Sequence, residues 1–300
     1  NPEFTAMEIY VAYKDYNWMM DFTEKLLEFC AIQVNGTTKA TFGEHEVDFK
    51  APYPRVSMTE AILKFTGFDI TGKTEKELYD FAKSIGIEVN ETMGKGKLID
   101  EIFGEKCEGN FIQPTFITDY PIEMSPLTKK HRSKEGLTER FELMVCGKEI
   151  ANAYSELNDP IDQRERFEAQ MALSERGDDE AMFIDQDFLR ALEYGMPPTS
   201  GLGIGMDRLI MFLTNNASIQ EVLFFPQMRP EKAVPQIELG EDEKVILEIL
   251  NSQEEPMALV EVKERSQLSG KKWDKASKTL TKNNIVKVEK IDENLLMKLS

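Results

Sequence analysis

Four short segments carry residue types and spacings from which a chemical site could be built. In the first, Gly201, Gly203 and Gly205 alternate just before a predicted helix with Arg208 in its first turn. Alternating glycines let a backbone lie close to a ligand, and a helix start offers unpaired N–H groups to anionic oxygen. A cation there opposes the helix dipole, so Arg208 is better explained by a ligand than by helix stability. The alternative is that the glycines serve only tight helix–sheet packing.

The second segment is a predicted hairpin with Gly147 near its turn. Pairing across this hairpin would bring Glu142 and Glu149 close together. Neighbouring carboxylates repel each other unless a cation lies between them, and Mg²⁺ prefers oxygen ligands. The pair is therefore a candidate magnesium site, with two exposed hairpin glutamates as the alternative.

The third segment continues the second strand of that hairpin. The two-residue period of a strand places Asn152, Tyr154 and Glu156 on one face and small residues on the other, a pattern that suits the floor of a pocket. Strict alternation would turn Glu149 to the face opposite Glu156. A β-bulge or the hairpin turn must therefore intervene if both serve one site.

The fourth segment is a predicted first strand on which Phe4, Glu8 and Tyr10 share a face, a common row in half-buried strands. The chain has 2 histidines, which argues against a histidine metal site or a Ser–His triad. Its 3 widely spaced cysteines fit reduced cytosolic thiols. Chemistry would therefore rest on carboxylates, arginine and backbone.

The elements that position these residues indicate an α+β protein. Strands are predicted over 5–16, 112–120, 138–146 and 149–157, and helices over 17–35, 57–65, 74–85, 160–176, 185–194 and 206–215. Asn17 is the predicted N-cap of the first helix. Because strands follow strands without a β–α–β alternation, we predict an antiparallel sheet flanked by helices.

The composition changes near residue 233, which predicts domains over 1–232 and 233–300. The net charge of −18 argues against a protein that coats nucleic acid non-specifically. The negative charge lies mainly before residue 240, because the sequence from there onward has 12 acidic and 11 basic residues. Three predicted helices (241–251, 258–268, 271–283) and two strands (285–291, 294–299) have the order of a winged helix-turn-helix. No apolar run predicts a membrane span and no secretion signal is recognisable, so we expect a cytoplasmic protein.

Together these segments resemble the class II lysyl-tRNA synthetase family over residues 1–232. The resemblance rests on the stretches NPEFTAMEIYVAY (1–13), TTKATFGEHEVDF (37–49), IQPTFITDYPIEMSPL (112–127), RFELMVCGKEIANAYSELNDP (140–160), GDDEAMFIDQDFLRALEYGMPPTSGLGIGMDRLIMFLTN (177–215) and FFPQMRP (224–230). It implies the class II antiparallel sheet. It also implies the reaction of lysine with ATP to lysyl-adenylate, followed by lysyl transfer to tRNA(Lys).

The resemblance also implies a nucleotide site. Glu142 and Glu149 match the carboxylates that hold Mg²⁺ on the ATP phosphates. Arg208 matches the arginine that packs on the adenine and meets the γ-phosphate, and it is, with Glu149, the implied catalytic residue. Phe4 matches the aromatic residue on the other face of the adenine, and Asn1 lies beside it in the ATP site.

A lysine pocket is implied by a further set of positions. Glu156 and Tyr10 match the residues that receive the ε-ammonium group of lysine. The remaining positions are the pocket wall (Asn152, Tyr154), a supporting carboxylate (Glu8) and the glycines that allow close approach (Gly203, Gly205).

Three parts of the family pattern have no counterpart in these 300 residues. They are the first motif, which builds the dimer interface, the motif-two arginine and the N-terminal OB-fold that reads the anticodon. We therefore expect a homodimer in the intact protein and negligible aminoacylation by the 300-residue chain alone. The lysine-rich helix near the C-terminus is interpreted as an aid to holding tRNA, with a solvated lysine face as the alternative.

Other functions remain open at this stage. Aspartyl- and asparaginyl-tRNA synthetases share the architecture, but an anionic substrate needs a cation where this chain has Glu156. A paralogue that attaches lysine to an elongation factor has a similar glycine motif, although the KEIANAYSELND run favours the synthetase. A non-catalytic nucleic-acid-binding module is the third possibility. The joint presence of Glu142, Glu149, Glu156 and Arg208 argues against it.

Overall fold

The computed structural model describes residues 3–175, 184–226, 239–253, 255–291 and 294–299. The chain divides into two compact units, Asn1–Gln227 and Met228–Ser300. The domain boundary predicted between residues 232 and 233 falls outside the described residues. The same holds for 177–183 and 227–230 of the stretches that carry the family resemblance.

The first unit is built on a six-stranded sheet of order β1-β8-β7-β6-β5-β4. Its strands are β1 (Ala6–Ala12), β4 (Arg55–Ser57), β5 (Thr115–Thr118), β6 (Arg140–Val145), β7 (Lys148–Ser155) and β8 (Thr199–Gly205), and a separate hairpin pairs β2 (Lys39–Phe42) with β3 (His45–Asp48). All neighbours in the large sheet are antiparallel except β4 and β5, because a helical crossover connects those two strands. The predicted antiparallel sheet is confirmed, with β4 as a parallel edge.

Seven helices of this unit lie in the described residues. They are α1 (Tyr16–Asn35), α2 (Met58–Thr66), α3 (Glu75–Ser84), α4 (Lys95–Lys106), α5 (Pro160–Glu175), α6 (Gln186–Glu193) and α7 (Met206–Thr214). The prediction of Asn17 as the N-cap of α1 is wrong. The cap is Asp15, whose side chain accepts from the Trp18 N–H at 3.1 Å, so Asn17 already lies in the first turn.

The core covers one face of the central strands and leaves the other face partly open. Apolar side chains of α1 and α7 pack with alternate residues of β6, β7 and β8, among them Phe141, Ala153 and Leu202. A second apolar cluster joins α2, α3 and α4 to β5 and to Met144. The half-exposed residues of β7 therefore point away from α1, and the open face that they line holds the site described below.

The described part of the second unit contains three helices and a small sheet. Its elements are α8 (Glu241–Asn251), β9 (Met257–Ala258), α9 (Leu259–Ser266), α10 (Gly270–Lys282), β10 (Val286–Ile291) and β11 (Asn294–Leu299), and its sheet order is β10-β11-β9. This is the predicted winged-helix order with one additional short strand, β9. In neither unit does a described helix combine the length and apolar character needed to cross a bilayer.

Candidate active site

A β-bulge in β7 decides which side chains share the open face. Glu142 pairs with Asn152 and Leu143 with Ala151, but Met144 pairs with Glu149, so Ile150 is an extra residue in the strand. Ile150 and Ala151 are both buried in the core. The bulge thus turns Glu149 to the open face, the same face as Asn152, Tyr154 and Glu156.

The hairpin turn brings a third carboxylate to the bulged end. Cys146 and Gly147 both have positive φ (47° and 67°), the conformation of a tight two-residue hairpin turn. A Cβ on Gly147 would lie 3.1 Å from the Cα of Gly109, so the turn packs directly on the segment after α4. That segment carries Glu108, which sequence patterning did not single out.

Electrostatic repulsion links these carboxylates. Burial raises the pKa of Glu142, and Glu149 raises it further, although Arg140 acts in the opposite direction. Burial also raises the pKa of Glu108, as does the charge of Glu142. The Glu149 charge thus adds to the pKa shift of Glu142, although the hairpin register pairs Glu149 with Met144 and Glu142 with Asn152, so the two carboxylates do not lie directly opposite each other.

Arg140 connects this acidic group to the pocket wall. Its Nη2 donates to Glu142 Oε1 at 2.5 Å and its Nε donates to Asn152 Oδ1 at 3.1 Å. Its Nη1 donates to the Met124 carbonyl oxygen at 2.9 Å, and the guanidinium lies 4.5 Å from the centre of the Tyr120 ring. Sequence analysis missed Arg140; its position two residues before Glu142, on the same strand face, was the available signal.

At the other end of the open face, Glu156 and Tyr10 meet over Gly201. A Cβ on Gly201 would lie 2.0 Å from Glu156 Oε1 and 2.8 Å from Tyr10 Cε1, so any larger residue would displace these two side chains. The Tyr10 hydroxyl donates to Glu8 Oε2 at 3.2 Å. Among the three alternating glycines, sequence analysis assigned pocket roles to Gly203 and Gly205 and missed Gly201.

Glu156 is a partly buried carboxyl group that lacks a compensating charge among the described residues. Burial raises its pKa to about 7, and no cation in the described part of the chain counteracts this effect. Burial also raises the pKa of Tyr10, and that of Tyr154 to about 12, with the Glu156 charge adding to both shifts. The pocket thus combines two neutral hydroxyl groups with an acid that is about half ionised at neutral pH and whose ionised form a nearby cation would stabilise.

Arg208 and Phe4 lie at the start of α7. Arg208 Nη1 donates to the Glu149 carbonyl oxygen at 2.7 Å and lies 3.7 Å from Glu149 Oε2, while about half of the side chain stays exposed. The Thr5 N–H donates to Asp207 Oδ2 at 2.7 Å, which ties the segment before β1 to α7. Phe4, the preceding residue, is 71% exposed, and Asn1 lies outside the described residues.

The family described as class II tRNA synthetases (D, K and N) matches residues 1–229. The chain belongs to this family. A protein of Christiangramia forsetii named lysine–tRNA ligase is 73% identical over 300 residues, which are 100% of this chain and 52% of that protein. A Porphyromonas gingivalis protein of the same name is 73% identical over 235 residues, covering 78% of this chain and 41% of its own length. One from Azobacteroides pseudotrichonymphae is 64% identical over 232 residues, with coverages of 77% and 46%.

This synthetase chain thus spans about half the length of the curated relatives it matches. Its open face carries two groups of polar side chains. One is the pocket around Glu156; the other is the acidic group at the bulge, with Arg208 beside it and Arg140 between the two groups. Within the described residues, no set of three or more His, Cys, Asp or Glu side chains has the arrangement of a complete metal site. A divalent ion would therefore need further oxygen ligands from a bound molecule or water.

Proposed function

We propose that this chain supplies the lysine- and ATP-binding part of a lysine–tRNA ligase. The enzyme joins lysine to ATP as lysyl-adenylate and then transfers the lysyl group to tRNA(Lys). The relatives of that name, at 73% and 64% identity, support the proposal. The observation that carries it is the partly buried Glu156 carboxyl group, which lies beside Tyr10 over Gly201 and has no charged partner among the described residues.

In the proposed pocket, Glu156 and the Tyr10 hydroxyl receive the ε-ammonium group of lysine. An ammonium group offers three N–H donors, and a hydrogen bond to an ionised carboxylate is stronger than one between neutral groups. Glu8 holds the Tyr10 hydroxyl, and Asn152 and Tyr154 form the wall. If aspartate were bound as the substrate, its side chain would place a second negative charge against Glu156. Bound asparagine would leave the Glu156 carboxylate without a cation. The pocket therefore favours lysine over the other substrates of its family.

ATP is proposed to bind at the bulged end. Arg208, half-exposed at the start of α7, would pack on the adenine and meet the γ-phosphate; Phe4 would lie on the opposite face of the adenine, with Asn1 close by. Gly203 and Gly205 leave the β8 backbone open between the two ligands. A Cβ on Gly203 would have 3.9 Å of clearance from its nearest neighbour, so the floor of this region is unobstructed.

Glu142 and Glu149 would hold Mg²⁺ against the phosphates. These two carboxylates repel each other, and Arg140 pairs with Glu142 alone. The group therefore keeps a net negative charge that suits a divalent cation. Mg²⁺ in nucleotide sites commonly takes one or two protein carboxylates and completes its shell with phosphate oxygen and water. When bound, the ion supplies neutralisation of phosphate charge.

The residues present suit a reaction that proceeds by positioning. In the first step the lysine carboxylate forms a bond to the α-phosphorus of ATP and pyrophosphate leaves, so no side chain has to remove a proton. Glu156 and Tyr10 fix one end of lysine while Arg208 and Glu149 fix the nucleotide. Holding two reactants in this way is a large part of catalysis.

The proposal includes a cytoplasmic homodimer. Free thiols at Cys30, Cys107 and Cys146 are compatible with a reducing compartment. The dimer rests on the family resemblance alone, and measurement of the mass of the intact protein in solution tests it.

The decisive test uses a chimera in which this chain replaces the matching segment of the Christiangramia forsetii relative. We expect lysine-dependent exchange of pyrophosphate with ATP and charging of tRNA(Lys). Exchange with aspartate or asparagine, or none with lysine, contradicts the proposal. Lysyl transfer to an elongation factor in place of tRNA would identify the paralogue, and failure to bind lysine and Mg-ATP would identify a non-catalytic module.

A further inference from the structure

Helix α10 separates an apolar face from a lysine face. Trp273, Ala276 and Leu280 are buried in the core of the second unit. Lys271, Lys275, Lys278 and Lys282, which we call the lysine face, are all exposed. At about 100° per residue, these four lysines fall within roughly 60° of the helix circumference, opposite the buried face.

The charge of the lysine face is not neutralised within the described residues. Of the lysines on α10, Lys272 forms an ion pair, with Asp242 at 3.5 Å, and it lies beside the lysine face. None of the four lysine-face side chains pairs with a described acidic group. The exposed Asp274 is an acidic residue on α10, at the margin of the lysine face. In a chain of net charge −18, a concentrated row of four cations marks where a polyanion can approach.

The position of α10 in its unit is that of a recognition helix. Helix α9 ends at Ser266, Gln267 takes a left-handed conformation (φ 49°), and α10 begins three residues later at Gly270. In helix-turn-helix domains the second of two such helices faces the nucleic acid. The buried face of α10 is occupied by its own core, so its lysine face is the surface left for a partner.

The residue types favour binding to a phosphate backbone over reading of bases. Of the residue types that read base edges in DNA, α10 contains no arginine, asparagine or glutamine, and its lysines lack the planar paired donors of arginine. Lysine acts as a point charge on phosphate, which positions a protein without carrying sequence information. Double-helical RNA, whose deep major groove excludes side chains, is itself recognised largely by shape and backbone.

We propose that the lysine face of α10 binds the phosphate backbone of a double-helical part of RNA. The choice of RNA rests on the proposed function, in which the attached catalytic unit acts on a tRNA. The Christiangramia forsetii relative matches this chain over 100% of its length, so the second unit accompanies the catalytic unit there too. Binding is sequence-independent and strongly salt-dependent.

Fluorescence anisotropy of a labelled RNA hairpin, titrated with the 300-residue chain between about 50 and 200 mM salt, tests the proposal. The test variant combines Lys271→Gln, Lys275→Gln, Lys278→Gln and Lys282→Gln. Each phosphate contact contributes about 0.7–0.9 to the slope of log affinity against log salt, so the slope should fall by about 3. Affinity at low salt should fall by more than about tenfold.

The matched control carries the same change of charge on exposed lysines of the first unit: Lys25→Gln, Lys50→Gln, Lys76→Gln and Lys83→Gln. It should bind RNA like the unsubstituted chain. Equal losses in both variants, an unchanged test variant, or no RNA binding by the unsubstituted chain would each overturn the proposal. Equally strong binding to anionic phospholipid vesicles, lost through the same four substitutions, would overturn the choice of RNA.

Two further measurements separate the possible causes of a failure. The substituted side chains are exposed and glutamine is a good helix former, so circular dichroism should stay unchanged. If the fourfold variant is unfolded, single substitutions should each lower the salt slope by about 0.8, and unchanged slopes count against the proposal. Lysine-dependent pyrophosphate exchange by the chimera needs no tRNA, so its presence or absence tests the ligase proposal independently.

Discussion

Lowering the pH below neutrality should weaken lysine binding, because a protonated Glu156 has no charge to offer the ε-ammonium group. Burial raises the pKa of Glu156 to about 7 in the free pocket, and a bound cation would lower it again. Binding therefore releases a proton at acidic pH. About one tenth of the free protein is ionised at pH 6, which predicts an affinity about tenfold lower than at pH 8, or about 1.4 kcal/mol.

The variant Glu156→Gln should change binding and stability in opposite directions. It loses the charged partner of lysine, which typically costs about 2–5 kcal/mol of binding when the pair is buried, and its binding should no longer depend on pH. Because the folded-state pKa is raised from 4.5 to about 7, the ionised carboxylate destabilises the fold increasingly as pH rises through this range. Removing it should stabilise the protein at pH 8 by up to about 3 kcal/mol and leave acidic stability nearly unchanged.

Isothermal titration with lysine and chemical denaturation, each at about pH 6 and pH 8, measure both effects in the 300-residue chain or the chimera. Glu44→Gln, at an exposed glutamate far along the chain, is the matched control and should change neither quantity. Equal lysine affinity at the two pH values, or a Glu156→Gln variant that binds lysine as well as the unsubstituted protein, would refute the reasoning. A purely structural Glu156 would instead lose stability on substitution.

Three other substitutions test separate contacts of the site. Gly201→Ala places a Cβ 2.0 Å from the Glu156 carboxylate and should reduce lysine affinity by about tenfold or more, measured by calorimetry. Gly104→Ala, with no atom within 4 Å of the added Cβ, should leave the affinity unchanged. Arg140→Lys keeps the charge but loses the paired donors to Glu142 and Asn152, so the affinities for lysine and Mg-ATP should both fall, by about tenfold each. If only one affinity falls, Arg140 does not link the two ligand sites. Glu142→Gln should weaken Mg-dependent ATP binding by about tenfold and leave lysine binding intact, and an equal loss for lysine would contradict the assigned separation.

Where regular periodicity applies, sequence patterning predicted the sheet and the strand face that the candidate site residues share. The alternation of Asn152, Tyr154 and Glu156 and the glycines of β8 were sufficient to predict one polar face. Alternation could not predict where Glu149 would point, because that depends on the single extra residue at the bulge. A bulge arises from packing of Ile150 and Ala151 into the same core, which only the three-dimensional arrangement reveals.

Contacts between distant parts of the chain were the other feature that sequence patterns could not predict. Glu108 reaches the site because Gly109 packs against the hairpin turn at Gly147, a contact between distant parts of the chain. The parallel placement of β4 likewise depends on the crossover through α2, α3 and α4. The N-cap of α1, by contrast, was predictable from the local sequence. Aspartate is a preferred N-cap residue, and the Asp15 side chain accepts from the N–H of Trp18, three residues later.

The site stores unfavourable electrostatics that its proposed ligands would relieve. Glu156 is partly buried without a cation at one end, and Glu142, Glu149 and Glu108 repel one another at the other. Arg140 lies between these regions and donates hydrogen bonds to Glu142 and Asn152, so its positive charge does not pair with Glu156. If these positions served only the stability of the fold, we would expect neutral side chains or ion pairs there. An ammonium group at Glu156 and a magnesium ion at the bulged end would each relieve one of these unfavourable charge arrangements, which is the physical basis for proposing a lysine-activating enzyme over an inert relative.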